Sequence, residues 1–130
     1  MSHFTRVQTV IRDQALLEEA LRQLNYQFQS GESVLVRGYQ GNQESGEVVI
    51  DTGSGYDIGF QRQADQSFAV CADWWGVRNK TKLRQESFLQ EINRTYSFDE
   101  IQYKSRMRST YRGASGPPEP RAHWWQRLFK

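Results

Sequence analysis

The pattern of apolar and polar positions predicts a strand, a helix and then a series of short strands. Residues 2–11 mix β-branched and aromatic side chains with polar ones, which favours a first strand. The next segment has apolar residues at spacings of one, three and four, which predicts an amphipathic helix capped by Asp13 and ended by Asn25. Its apolar stripe is Leu16, Leu17, Ala20, Leu21 and Leu24. Its solvent-facing side is predicted to be Glu18, Glu19, Arg22 and Gln23.

The following fifty residues contain short runs of β-forming residues separated by glycine and polar turns. Residues 26–29 and 34–39 predict a hairpin that turns at Gly31, and Gly41 and Asn42 predict a second turn. Further strands are expected at 47–51, 56–60 and 67–77. Because no helical pattern separates these runs, they predict an antiparallel meander. Trp74 and Trp75 lie at its end and should point to opposite sides of the sheet, so that one can anchor the core while the other remains outside. The alternative is that the second helix covers both rings.

A second helix is predicted after Val77, with Thr81 as its cap. Its apolar face is Leu83, Phe88, Leu89, Ile92 and Tyr96. Ser97-Phe98-Asp99-Glu100 resembles a capping box, at which this helix could break or restart. Helices on either side of one meander predict an α+β fold, a two-layer sandwich with one mainly antiparallel sheet and helices on one face.

The domain organisation changes towards the end of the chain. Residues 1–108 are predicted to form the α+β domain. Gly113, Gly116 and three prolines predict a linker over 109–121, and 122–130 form a basic, aromatic docking tail.

Charge is divided unevenly between the body and the end of the chain. Residues 1–100 contain ten Lys/Arg and fourteen Asp/Glu, a net charge of −4, whereas 101–130 contain seven Lys/Arg and one acid, a net charge of +6. This asymmetry predicts that the basic end meets an anionic partner, whether an acidic protein face, nucleic acid or a lipid headgroup. The alternative is a tail kept solvated for solubility.

The chain has no apolar run of the roughly 20 residues that a membrane span requires, and no signal-peptide core. We therefore expect a soluble, intracellular protein without a transmembrane span. Cys71 is the single cysteine and is expected to be a buried, inert thiol. His3, Cys71 and His123 are isolated in sequence, so no metal and no cofactor is predicted.

Two aspartates could carry acid–base chemistry. Asp57 and Asp73 occupy corresponding places in neighbouring predicted strands and could approach each other. The competing interpretation is that each faces solvent, caps a turn or pairs with Arg37 or Arg78. No catalytic residue is predicted.

Aromatic and basic residues form two candidate partner-binding sets. In the tail, an induced helix would gather an apolar patch beside basic residues, and this patch could dock in a partner's groove or at a membrane surface. The alternative is that the tail folds back onto its own domain. The tail set is Arg121, Trp124, Trp125, Arg127, Leu128 and Phe129. In the body, Trp75 and Arg78 form the second set, because Trp and Arg dominate binding hot spots.

Four segments give the chain a family resemblance. Ser2-His3-Phe4 with Arg6, Arg37-Gly38-Tyr39, Tyr56-Asp57-Ile58-Gly59-Phe60 and Ala72-Asp73-Trp74-Trp75-Gly76-Val77 resemble the hypothetical chloroplast reading frame thirty-five family of cyanobacteria and algal plastids, over residues 2–96. The resemblance implies a photosynthetic lineage and a cytoplasmic or stromal location, but no mechanism. After the second helix, family members continue into a further helical stretch and a closing hairpin, where this chain turns to Gly, Pro and Trp.

The function predicted from these features is that of a non-enzymatic accessory or assembly protein that binds a protein partner, such as a larger photosynthesis-related complex. One alternative is an RNA-binding module that uses the basic aromatic tail and the Trp75 region. A second alternative is an enzyme of unknown chemistry.

Overall fold

A computed structural model describes residues 3–113. The strands are β1 (Thr5–Gln8), β2 (Gln27–Arg37), β3 (Gln43–Asp51), β4 (Ile58–Arg62) and β5 (Phe68–Ala72). The helices are α1 (Gln14–Gln23), α2 (Trp74–Lys80) and α3 (Gln85–Gly113), with a short 3-10 turn at Tyr39–Gly41. None of the helices in this described part of the chain has the length and apolar character needed to cross a bilayer.

All five strands form one antiparallel sheet in the order β1-β5-β4-β3-β2. Strands β2 to β5 are the predicted meander, and α1 carries the chain from β1 at one edge to β2 at the other. This arrangement confirms the α+β fold with a mainly antiparallel sheet.

The core lies between one face of the sheet and helices α1 and α3. Val48, Phe60 and Val70 are in register across three strands and are fully buried on that face. The helices add Leu17 and Phe88, which belong to the same buried cluster. The predicted start and end of α1 are confirmed, since the Asp13 carboxylate accepts from the Leu16 N–H at 3.2 Å and Asn25 has a φ of 65°.

The predicted hairpin turn at Gly31 is wrong, because β2 is a single strand of 11 residues. Its pairing with β3 changes register between Ser30↔Val48 and Val34↔Gly46, so Gly31 lies in an irregularity of the ladder. The chain turns instead at the second predicted turn, around Gly41 and Asn42, where Gln40 and Gly41 have positive φ values of 51° and 80°.

The second face of the sheet is partly covered by the end of this β2–β3 hairpin. Val36 is fully buried and lies on Gly59 of β4, where a Cβ would be 2.5 Å from the Val36 Cγ2. Gly38 is likewise in contact with the ring of Phe4. The hairpin end can approach the sheet because small residues leave room for it.

Helix α3 is continuous, which makes the predicted break at Ser97–Glu100 wrong. Its helical conformation extends through residues 109–113, where the sequence predicted the start of the linker. The rest of that predicted linker and the tail, residues 114–130, lie outside the described residues. Thr81 is also not the cap that starts this helix. It ends α2, where its hydroxyl donates to the Val77 carbonyl at 2.7 Å.

Candidate partner-binding site

The two tryptophans lie at the start of α2 rather than at a strand end, which corrects the prediction. Asp73 causes the change, because it follows β5 directly and its carboxylate accepts from the Gly76 N–H at 3.3 Å as the N-cap of α2. The predicted division between the two rings nevertheless holds. Trp74 is 9% exposed and belongs to the core, whereas Trp75 is 46% exposed.

Helix α2 is held against the domain by its buried side. The Trp74 ring packs on Phe88 of α3 with centroids 5.6 Å apart. Gly76 contacts the Tyr56 ring so closely that a Cβ there would lie 2.0 Å from a ring carbon. The Trp74 indole nitrogen is buried and has no hydrogen-bond acceptor among the described residues. These contacts fix which side of α2 faces outward.

The outward side of α2 carries Trp75 and Arg78, which we call the Trp75–Arg78 surface. The two residues are three positions apart in the helix and therefore neighbours on it. Tyr39, from the β2–β3 turn, packs edge-to-face on the Trp75 ring at 6.2 Å and 86°. The Arg78 side chain forms no ion pair with any residue of the described range. The structure thus brings together the two body residues that the sequence selected.

An open cleft of about 650 Å³ adjoins this surface, between α2 and the start of α3. It is lined by Trp74, Trp75, Arg78, Arg84, Gln85 and Glu86. The Arg84 guanidinium is held at the end of α2 by hydrogen bonds to three backbone carbonyls, those of Arg78, Thr81 and Leu83. Arg84 was not among the predicted partner-binding residues, since nothing local in the sequence shows that it closes the helix end.

Asp57 and Asp73 are both buried, at 3% and 1% exposure, so neither faces solvent as one interpretation expected. The Asp57 carboxylate accepts from the Arg37 backbone N–H, Nε and Nη2 at 2.8 to 2.9 Å, which is the predicted pairing. Asp73 caps α2. A groove of about 430 Å³ contains Asp57 together with Arg37 and Asp51, and Asp73 is not part of its lining. Both carboxylates therefore have structural partners.

One buried acid was missed by the sequence analysis. Asp99 is 2% exposed on α3, faces Glu19 and Gln23 of α1, and has one carboxylate oxygen without a partner among the described residues. Burial raises the pKa of Asp99 to about 6, with a further rise from the charge of Glu19 and an opposing hydrogen bond from Gln23. Glu19 is 9% exposed, so its predicted place on the solvent side was wrong. The spacing Phe88-Ile92-Tyr96-Asp99-Tyr103 was the signal that could have revealed Asp99, because it continues the buried stripe.

Cys71 is confirmed as a buried thiol, with 0% exposure, and burial raises its pKa. Such a thiol is protonated and shielded, which makes it unreactive. Within residues 3–113, no three His, Cys, Asp or Glu side chains converge as a metal site would require. The six predicted tail residues lie outside the described residues.

The fold and the site define a class: a small α+β sandwich with an exposed aromatic and basic surface at one helix. The chain matches the family described as protein of unknown function (DUF1257) over residues 20–110, and it belongs to that family. The four segments singled out in the sequence thus gave the correct family, although the match begins later and extends further than residues 2–96.

Two relatives support the same assignment. The chain is 30% identical over 103 residues to the uncharacterized protein ycf35 of Cyanophora paradoxa, covering 78% of this chain and 76% of the relative. It is 29% identical over 111 residues to the uncharacterized protein ycf35 of Guillardia theta, with the same coverage of both chains. No solved structure matches the chain.

Proposed function

We propose that this protein is a non-enzymatic accessory or assembly protein that binds a protein partner through the Trp75–Arg78 surface. The observation that carries the proposal is the state of Trp75, whose indole is 46% exposed and yet packed edge-to-face by Tyr39. A large aromatic ring held at the surface offers apolar area to a partner, and Trp and Arg are enriched among the residues that dominate binding energy.

The rigidity of α2 supports this proposal. Its inner side is fixed by Trp74 on Phe88 and by Gly76 on Tyr56, so the outer side is already arranged before a partner arrives. A preorganised surface binds more tightly than one that must be ordered on contact, because less conformational entropy is lost.

The setting we propose is photosynthetic. Both relatives bear the name of a chloroplast reading frame and come from algae. We place the protein in the cytoplasm or the plastid stroma, bound to a protein that belongs to a larger photosynthesis-related complex. Peripheral contact with a membrane is compatible with this setting.

Quantitative affinity capture from native lysate tests the proposal. Trp75→Ala and Arg78→Glu should each reduce recovery of the same partner, with an affinity loss of about 30-fold or more for a hot-spot residue. The matched control is Arg94→Glu, which reverses the charge of an exposed arginine on α3 and should leave recovery unchanged. Circular dichroism establishes that all three variants fold. Unchanged recovery with folded Trp75→Ala and Arg78→Glu would reject the proposal.

The tail is proposed as a second contact with the same partner. Deleting residues 117–130 removes Trp124, Trp125 and four further apolar or basic candidates while leaving the described domain whole. Recovery should fall, because two linked contacts bind more tightly than one. If the deletion variant recovers as much partner as the full-length protein, binding would be limited to the Trp75–Arg78 surface.

RNA binding is a second candidate, favoured by the four exposed cations Arg78, Lys80, Lys82 and Arg84 beside an exposed tryptophan. An indole can stack on a base, and cations can neutralise phosphates. This function predicts affinity for single-stranded RNA that falls steeply between about 50 and 200 mM salt. A shallow salt dependence would count against it.

A further inference from the structure

Positive charge in residues 1–100 is concentrated next to the Trp75–Arg78 surface. Of the ten cations in residues 1–100, four lie between positions 78 and 84, a stretch without any acid. The remainder has six cations against fourteen acids, a net charge of −8, compared with +4 in this stretch. All four cations, Arg78, Lys80, Lys82 and Arg84, are exposed.

The ion pairs of the described residues hold three arginines but not Arg78. Arg6 pairs with Glu44, Arg22 with Glu18 and Glu19, and Arg37 with Asp51 and Asp57. The Arg78 guanidinium, in contrast, lines the cleft and has no carboxylate partner in the described part of the chain. A guanidinium binds a carboxylate through two parallel hydrogen bonds, and this pairing is the one that Arg78 lacks.

The apolar and the cationic parts of the cleft lie side by side. Its lining includes Trp75 and also Arg84, whose guanidinium is held at the end of α2 by three carbonyls. A ligand that fits both parts carries carboxylates for the arginines and an apolar side chain for the indole.

We propose that the cleft binds an acidic peptide segment of the partner, with glutamate or aspartate side chains on Arg78 and Arg84 and an apolar residue against Trp75. The inference rests on the proposed function and specifies the chemistry of the partner. A short acidic segment fits better than a nucleic acid strand, because the stretch carries only four positive charges and Glu86 lines the same cleft, which disfavours a ligand with a phosphate at every nucleotide.

Two-dimensional NMR of the full chain, with the Trp75 indole as reporter, tests this inference. The probe is a twelve-residue peptide in which Glu and Leu alternate, and its matched control has Gln in place of Glu. The Glu peptide should shift the Trp75 and Arg78 signals, and the Gln peptide should bind at least about tenfold more weakly, because it lacks the charge-assisted hydrogen bonds. Arg78→Glu should weaken binding of the Glu peptide similarly, whereas Arg94→Glu should not.

The failure of this inference is distinguishable from the failure of the proposed function. If Trp75→Ala and Arg78→Glu abolish capture of the native partner but the Glu peptide leaves the cleft signals unmoved, the acidic class is wrong and the protein-binding function stands. Equal binding of the Glu and Gln peptides also overturns the acidic class. If a twelve-nucleotide oligouridine displaces the Glu peptide at a concentration below that of the peptide, the cleft would be assigned to nucleic acid instead.

Discussion

At the scale of single residues, Gly76 shows how tightly helix α2 is attached to the domain. It lies inside α2, where alanine would ordinarily be favoured over glycine by about 1 kcal/mol. The Tyr56 ring occupies the place of the missing Cβ, at 2.0 Å, so the benefit to the helix is opposed by a steric clash.

Gly76→Ala should therefore destabilise the protein by about 1–3 kcal/mol, because the ring or the helix must move. Chemical denaturation with Trp fluorescence measures the effect. The control is Asn79→Ala at an exposed position of the same helix, which should be neutral or slightly stabilising. A stability gain in Gly76→Ala would show that Tyr56 moves aside at no cost.

At the scale of elements, α3 combines an apolar stripe with one buried acid. Phe88, Ile92, Tyr96 and Tyr103 form the stripe, and Asp99 lies within it against α1. A carboxyl whose pKa is raised by burial binds its proton more tightly in the folded than in the unfolded chain, so its ionisation opposes folding. The packing of α1 on α3 should accordingly weaken as the pH rises.

Asp99→Asn should stabilise the protein above pH 6, by up to about 3 kcal/mol for a pKa shift from 3.8 to about 6. The gain should shrink as the pH falls through this window and vanish near pH 4, where Asp99 is protonated in both states. Denaturation of wild type and variant from pH 4 to 8 measures it. Glu100→Gln, at the adjacent position, is the control and should change stability by no more than about 0.5 kcal/mol. A gain that does not depend on pH would contradict the proposed cause.

At the scale of the whole molecule, the β2–β3 hairpin covers the sheet face that has no helices. The Arg37–Asp57 contact holds it there, with three hydrogen bonds to the carboxylate and a fourth from the Asp57 N–H to the Arg37 carbonyl at 3.0 Å. Cys71 pairs with Gly59 across β5 and β4, so it shares the face on which Val36 lies. The reactivity of this buried thiol therefore reports whether the hairpin stays on the sheet.

Asp57→Asn should raise the rate at which a thiol reagent labels Cys71 by about tenfold or more, because the amide accepts fewer of these hydrogen bonds and the hairpin opens more often. Asp51→Asn is the matched control. Asp51 also pairs with Arg37, but its side chain is 61% exposed, so its loss should matter little. Equal rates of Cys71 labelling in wild type and Asp57→Asn would show that the Arg37–Asp57 contact does not hold the β2–β3 hairpin on the sheet.

The sequence by itself determined the features that depend on near neighbours. The periodic stripe of α1, its Asp13 cap and the left-handed Asn25 all follow from residues a few positions apart. The family could be read from four segments for the same reason, since each is a local pattern.

Tertiary structure alone decided the features that depend on distant parts of the chain. The unbroken course of β2 past Gly31 is set by its pairing with β3, and the continuity of α3 past Ser97 by its packing on α1 and the sheet. The burial of Glu19 and Asp99 has the same origin, because only the meeting of α1 and α3 removes these carboxyl groups from water. Local signals for a turn or a cap are worth about 1 kcal/mol, and the burial of many apolar side chains outweighs them.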